Sequence, residues 1–185
     1  MTSKASIIFL HGASSSGKST LAREIQAKIE KPFWHISIDH LRDSGVLPLA
    51  RVKAGDFKWR DMRAPFFAGY HASLAAYAEA GNNLIIEHIL DTPGWQLELA
   101  ELFAPFDVLF VALHCEIEEL RRREYARGDR PVGSAEQDAL TIHEGRRYDL
   151  ELETADGVDT NAARVMTAWR EPRAQSRFFE VTEGR

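Results

Sequence analysis

The sequence predicts an α/β fold, a five-stranded parallel sheet flanked by helices. Short apolar runs alternate with segments of helical period, the pattern of parallel strands joined by helical crossovers. A glycine- and serine-rich turn sits between the first run and the first helix. No internal repeat or second core is visible, so residues 1–185 read as one domain.

The first strand is placed at Ala5 to His11, a buried apolar run. Leu21, Ile25 and Ile29 recur every four residues, so the segment after the turn is a helix packed on that strand. A second strand covers Phe33 to Asp39. Leu41 to Lys58 carries Gly45, Pro48 and Gly55 without a sustained period, which predicts a long irregular connection of the kind that is often functional. Trp59, Met62, Phe66, Tyr70, Leu74 and Tyr77 then step by three and four along a long helix that Gly81 closes, and this aromatic stripe reads as core. The third and fourth strands are Asn83 to His88 and Asp107 to His114. Glu116 to Tyr125 is helical and charged and runs into the cationic turn ARGDRPVG, 126–133. Ser134 and Gln137 have capping-box spacing, so a helix restarts there. The fifth strand is Tyr148 to Thr154. Asp159 or Thr160 caps a final helix bearing Ala162, Val165, Met166 and Trp169, and no element is assigned from Pro172 onward.

Bulk properties narrow the function. A chain of 185 residues buries a sizeable core without staples. Its net charge of -5 argues against a nucleic-acid groove, which needs clustered cations, and no apolar run approaches membrane-spanning length. The arginines at 121–123, 127 and 130 read as a local anion site instead. Cys115 is the single cysteine, which excludes an internal disulfide; with no signal-peptide pattern in MTSKASIIFLHG, a reducing cytoplasm is the expected compartment.

The turn after the first strand matches G-x-x-x-x-G-K-[ST] without a gap, between a strand and a helix as the chemistry requires. Gly12, Ala13, Ser14, Ser15, Ser16, Gly17, Lys18, Ser19 and Thr20 are therefore the candidate nucleotide-binding residues. Glycines let amide N–H groups point at phosphate, Lys18 neutralises β- and γ-phosphate charge, and the Ser19 hydroxyl can ligate Mg2+. ATP and Mg2+ are the expected cofactors.

The acceptor side turns on Asp39, at the carboxyl end of the second strand, the edge where open α/β sheets bind ligands. A carboxylate there can take the proton from an attacking hydroxyl; the alternative is a residue that only caps the turn. Glu87 ends the third strand where an acid near Mg2+ is expected, acting through water. His88 reads as a hydrogen-bonded wall residue. His35, His40, His71, His114 and His143 lack tight metal spacing, so zinc is not indicated. The charged hinge near 126–143 has the composition of a mobile lid over a nucleotide.

Taken together, GASSSGKS, SIDHL, LIIEHIL and the block ARGDRPVGSAEQDALTIHEGRRYDLELET make the chain similar to the chloramphenicol phosphotransferases, small P-loop kinases of the shikimate-kinase-like type. The similarity runs from about Ile7 to Trp169. It implies a three-layer P-loop kinase fold with a small helical lid, a single alcohol-phosphorylating domain, Asp39 as base, and Arg127 and Arg130 as lid arginines. Arg123, seven residues before Arg130-Pro131, resembles the arginine that stacks on adenine in the wider group; a surface helix residue is the other reading. This chain has Glu87-His88 where the drug kinases resemble a pair of aspartates, and Leu41 to Phe67 shows little clear likeness.

Three functions stay open on the sequence. One is transfer from ATP to a small-molecule alcohol, chloramphenicol or a related antibiotic or natural product. A nucleotide, sugar or other metabolite kinase is another, since Arg42, Arg51, Lys53, Lys58, Arg60 and Arg63 could hold an acceptor phosphate. Phe57, Trp59, Phe66 and Phe67 among them suit an uncharged or aryl acceptor better. The last is a nucleotide-binding switch, which has no need of Asp39.

Overall fold

In a computed structural model, which describes residues 4–127 and 133–181, five parallel strands form one sheet in the order β2-β3-β1-β4-β5. They are β1 Ser6–His11, β2 Phe33–Ser37, β3 Asn83–His88, β4 Asp107–His114 and β5 Leu150–Glu153. The helices are α1 Lys18–Lys28, α2 Ile38–Asp43, α3 Leu49–Lys53, α4 Trp59–Glu79, α5 Trp95–Phe103, α6 Ile117–Arg127, α7 Ser134–Thr141 and α8 Val158–Arg170. Central β1 alternates its side chains between two cores. Ile7 and Phe9 pack with Leu74 of α4 and Phe103 of α5, while Ile8 and Leu10 pack with Ile25 of α1 and Val165 of α8. Helices thus cover both faces, and the carboxyl ends of the strands stay open to hold the site.

Several boundaries differ from the sequence expectation. Strand β2 stops at Ser37, whose hydroxyl accepts the Asp39 N–H at 3.2 Å and so caps α2; Asp39 stands in a helical first turn, two residues past the strand. The connection from Leu41 to Lys58 is not wholly irregular, because it contains the end of α2 and all of α3. Gly133, not Ser134, is the N-cap of α7, and the buried Glu124 carboxylate of α6 takes the Gly133 and Ala135 N–H groups at 2.6 and 2.9 Å. Gly157 begins α8 in place of Asp159 or Thr160, since the Asp159 carboxylate is drawn to Lys28 of α1 at 2.7 Å. Gly81, at φ +93°, does follow the end of α4 as expected. Within α4 the aromatic stripe divides: Tyr70 and Leu74 are core, whereas Trp59 and Phe66 line the cleft.

The tail that carried no assignment completes a core. A single 3-10 turn, Arg177–Phe179, places Phe178 fully buried with its ring 4.9 Å from Phe9 and 5.0 Å from Phe110. Asp149 anchors this turn by accepting from Ser176 Oγ at 2.5 Å and Arg177 N at 2.8 Å.

Candidate active site

The loop between β1 and α1 forms a cradle. Ser15 at φ +62° and Gly17 at φ +99° are both left-handed, a backbone reversal that turns successive amides inward. Gly12 is needed for a different reason: a Cβ there would lie 2.6 Å from Leu113 O of β4. Helix α1 starts without a side-chain cap and without an acid in its first turn, so its positive end faces the cleft. The Ser15 and Ser16 hydroxyls are buried with no hydrogen-bond partner among the described residues. Lys18 is buried and its Nζ donates to Gly12 O and Ala13 O, both at 2.8 Å. Such a cradle can hold a phosphate chain.

Beside it three side chains from three elements meet. Ser19 Oγ of α1 donates to Glu87 Oε2 of β3 at 2.8 Å, and His35 Nε2 of β2 donates to Glu87 Oε1. Burial pushes the Glu87 carboxyl up, but the hydrogen bonds from His35 and Ser19 outweigh it and hold the group below its ordinary value, hence ionised at neutral pH.

Elements from the second half of the chain lie over the loop. Thr154 Oγ1 is 2.7 Å from His114 O and 2.9 Å from Ser16 O. Asp138 of α7 accepts the Ser14 N–H at 3.2 Å. Arg123 of α6 reaches the loop backbone: Nη1 donates to Ser15 O at 3.4 Å while Nε donates to Glu119 at 2.7 Å. Arg127 ends α6, and Arg130, with 128–132 of the expected lid 126–143, lies outside the described residues.

The cleft, about 1070 Å³, continues from the loop past Thr20 to Asp39 and on to an aromatic wall of Trp59, Phe66, Phe67 and Trp95. Asp39 pairs with Arg42 at 3.2 Å. The Phe67 and Trp95 rings lie 4.3 Å apart, and the Arg63 guanidinium sits 4.6 Å from Trp95 while bonding Asp91 at 2.8 Å and Thr92 at 2.9 Å. Beside these rings His88 also lines the cleft; its Nε2 meets His71 Nε2 at 2.9 Å and its Nδ1 donates to Ile89 O at 2.9 Å. Burial, then the neighbouring His71, pushes His88 down to about 3, so it is a neutral wall residue. Among the described residues no group of three or more His, Cys, Asp and Glu could hold a metal by itself.

Sequence reasoning did not single out His35, Asp138, Thr154 or Arg63 for these contacts. Alternation along β2 puts His35 on the face of Ser37, and Ser37 is in register with Glu87, but that register requires the sheet order.

A model of the family described as "Chloramphenicol phosphotransferase-like protein" matches residues 5–170. "Putative O-phosphotransferase Rv2636" of Mycobacterium tuberculosis (strain ATCC 25618 / H37Rv) is 30% identical over 168 residues, covering 80% of this chain and 74% of that protein. Among solved structures, the M. tuberculosis APS kinase CysC in complex with AMPPNP and APS aligns with a TM-score of 0.66 at 18% identity, over 91% of this chain and 99% of that one. A gluconokinase from Sinorhizobium meliloti 1021 gives 0.63 at 18% identity, over 91% and 93%. These two likenesses concern the fold, that of P-loop kinases. No helix among the described residues is long and apolar enough to cross a membrane.

Proposed function

The chain belongs to the chloramphenicol phosphotransferase-like family and is a small-molecule O-phosphotransferase, and we propose that it transfers the γ-phosphoryl group of ATP to a hydroxyl of an uncharged aryl-bearing molecule, chloramphenicol or a related antibiotic or natural product. The observation that carries this reading is the continuity of one cleft from the Gly12–Ser19 cradle to Asp39 and the aromatic wall. In it the acceptor hydroxyl attacks phosphorus, the bond to the β-phosphate breaks, and Asp39 takes the hydroxyl proton. Lys18, whose ammonium donates to the Gly12 and Ala13 carbonyls, would turn it to the β- and γ-phosphates. Arg127 and Arg130 would add cationic donors when the lid at 126–143 closes, and Arg123 would stack on the base.

The residues present fit Mg2+. Ser19 and Glu87, 2.8 Å apart on the phosphate side, would hold the ion through hard oxygen donors. When bound, the ion neutralises charge between the β- and γ-phosphates.

A phosphorylated acceptor fits the cleft less well. Arg42, Arg51, Arg60 and Arg63 are paired with Asp39, Asp56, Asp61 and Asp91 respectively, and of the six cations between 42 and 63 only Arg42 lines the cleft. The test is a screen with ATP and Mg2+ over phenicols, aminoglycosides, nucleosides and sugars, read by mass spectrometry. Gain of one phosphoryl mass on a phenicol or other aryl alcohol is expected; gain on aminoglycosides, nucleosides or sugars alone would refute the acceptor assignment.

A further inference from the structure

Most of the loop machinery is contiguous in sequence, but the acid beside it depends on a residue from another strand. We propose that His35 is a positioning residue that fixes Glu87 for the metal ion. The inference rests on the phosphotransferase reading above.

The geometry divides the two oxygens of Glu87 between two tasks. Oε1 accepts from His35 Nε2, and Oε2 accepts from Ser19 Oγ, the other hard donor on the phosphate side. Both side chains of the His35–Glu87 pair are almost wholly buried, at 6% and 5% exposure, so little water competes for the bond. The T-shaped ring of His40, 4.7 Å away, packs against the imidazole that holds it.

Glutamate makes such a tether necessary. It has one more rotatable bond than aspartate and loses more side-chain entropy when held in one geometry. A donor from the neighbouring strand removes that freedom before the ion arrives. His35 is paired with Ile85 and Ser37 with Glu87, so His35 stands diagonally across from Glu87 on the same face, within reach of a long side chain. Partners that orient a metal ligand in this way typically govern metal affinity by about 10–100-fold. His35 and Glu87 together thus take the place that a shorter acid would fill alone.

The test compares wild type, His35→Phe and His35→Gln. The Phe variant keeps a ring in the buried position and lacks the donor; the Gln variant restores an N–H at similar reach. Mn2+ serves as the metal probe, its affinity for the ADP-bound protein measured by electron paramagnetic resonance, with ADP affinity in chelator and thermal unfolding measured alongside. The expected result for His35→Phe is a loss of about 10–100-fold in Mn2+ affinity with metal-free ADP affinity unchanged, and His35→Gln recovers most of the loss. Wild-type Mn2+ affinity in His35→Phe would overturn the proposal, as would parallel losses of Mn2+ and metal-free ADP, or a folded Gln variant as weak as Phe. Wild-type protein that binds ADP but no Mn2+ refutes this inference alone; wild type that binds neither refutes the reading beneath it.

Discussion

Gly12→Ala is expected to damage both stability and nucleotide binding, and the structure sets the size of the effect. The added Cβ would lie 2.6 Å from Leu113 O and 3.0 Å from Ser16 Oγ. An ordinary C···O contact is about 3.3 Å or more, so the first clash is short by about 0.7 Å. Leu113 is in register with Leu152 of β5, so its backbone carbonyl cannot swing aside like a side chain, and the loop must move instead. Overpacking of this kind costs about 1–3 kcal/mol, which for a chain of this size lowers Tm by about 2–4 °C per kcal/mol. Misaligning even one amide that bonds a charged phosphate costs about 1.5–3 kcal/mol, roughly 10- to 150-fold in nucleotide affinity. Gly69→Ala is the control, because nothing lies within 4 Å of its Cβ position and it sits inside α4. That change should raise stability by up to about 1 kcal/mol and leave binding alone. Thermal unfolding and calorimetric titration with nucleotide measure both quantities. A Gly12→Ala protein with wild-type Tm and wild-type affinity would refute the close-approach argument.

Asp39→Asn should lower kcat by about 100-fold or more with nucleotide affinity nearly unchanged, because Ser37 already caps α2; steady-state kinetics with wild-type kcat would remove Asp39 as base. Phe178→Ala should cost about 3–5 kcal/mol in urea unfolding, since the ring is fully buried against Phe9 and Phe110, and a loss below about 1 kcal/mol would contradict its place in the core. Stability should fall as pH drops from about 6.5: burial lowers His88 to about 3 and His143 to about 4, each below the ordinary 6.5, so the unfolded chain takes up protons first. The contribution of these groups is full above pH 6.5 and lost progressively toward those lower values; unfolding free energy that stays flat between pH 6.5 and 4 would contradict their burial as neutral rings.

The sheet and the phosphate loop were legible because their signals are local. Each strand is one apolar run, and the loop motif holds its strand, turn and helix within residues 5–29. What escaped was set by partners distant in sequence. Asp159 looks like a cap until Lys28, on another helix, takes its carboxylate. Glu124 reads as one charge in a charged helix, yet its carboxylate takes the Gly133 and Ala135 N–H groups at the start of α7, nine and eleven residues further on. Phe178 stands in a polar tail without a period, and only the sheet shows the gap between Phe9, Phe103 and Phe110 that it fills. At the candidate site the contiguous loop was readable, whereas His35 acquires its contact with Glu87 through the β2–β3 register, and Arg63 meets Asp91 through the packing of α4 against the chain after β3.

Transfer of a γ-phosphoryl label from ATP to an accepted alcohol, run side by side for wild type and Lys18→Ala, shows whether the loop delivers phosphate to an acceptor. Lys18 faces the loop interior, so its removal should leave the fold nearly intact while abolishing transfer. Wild type should place label on the acceptor hydroxyl oxygen, and Lys18→Ala none above background. Label released only as free phosphate by wild type, or transferred undiminished by the variant, would contradict delivery by the loop.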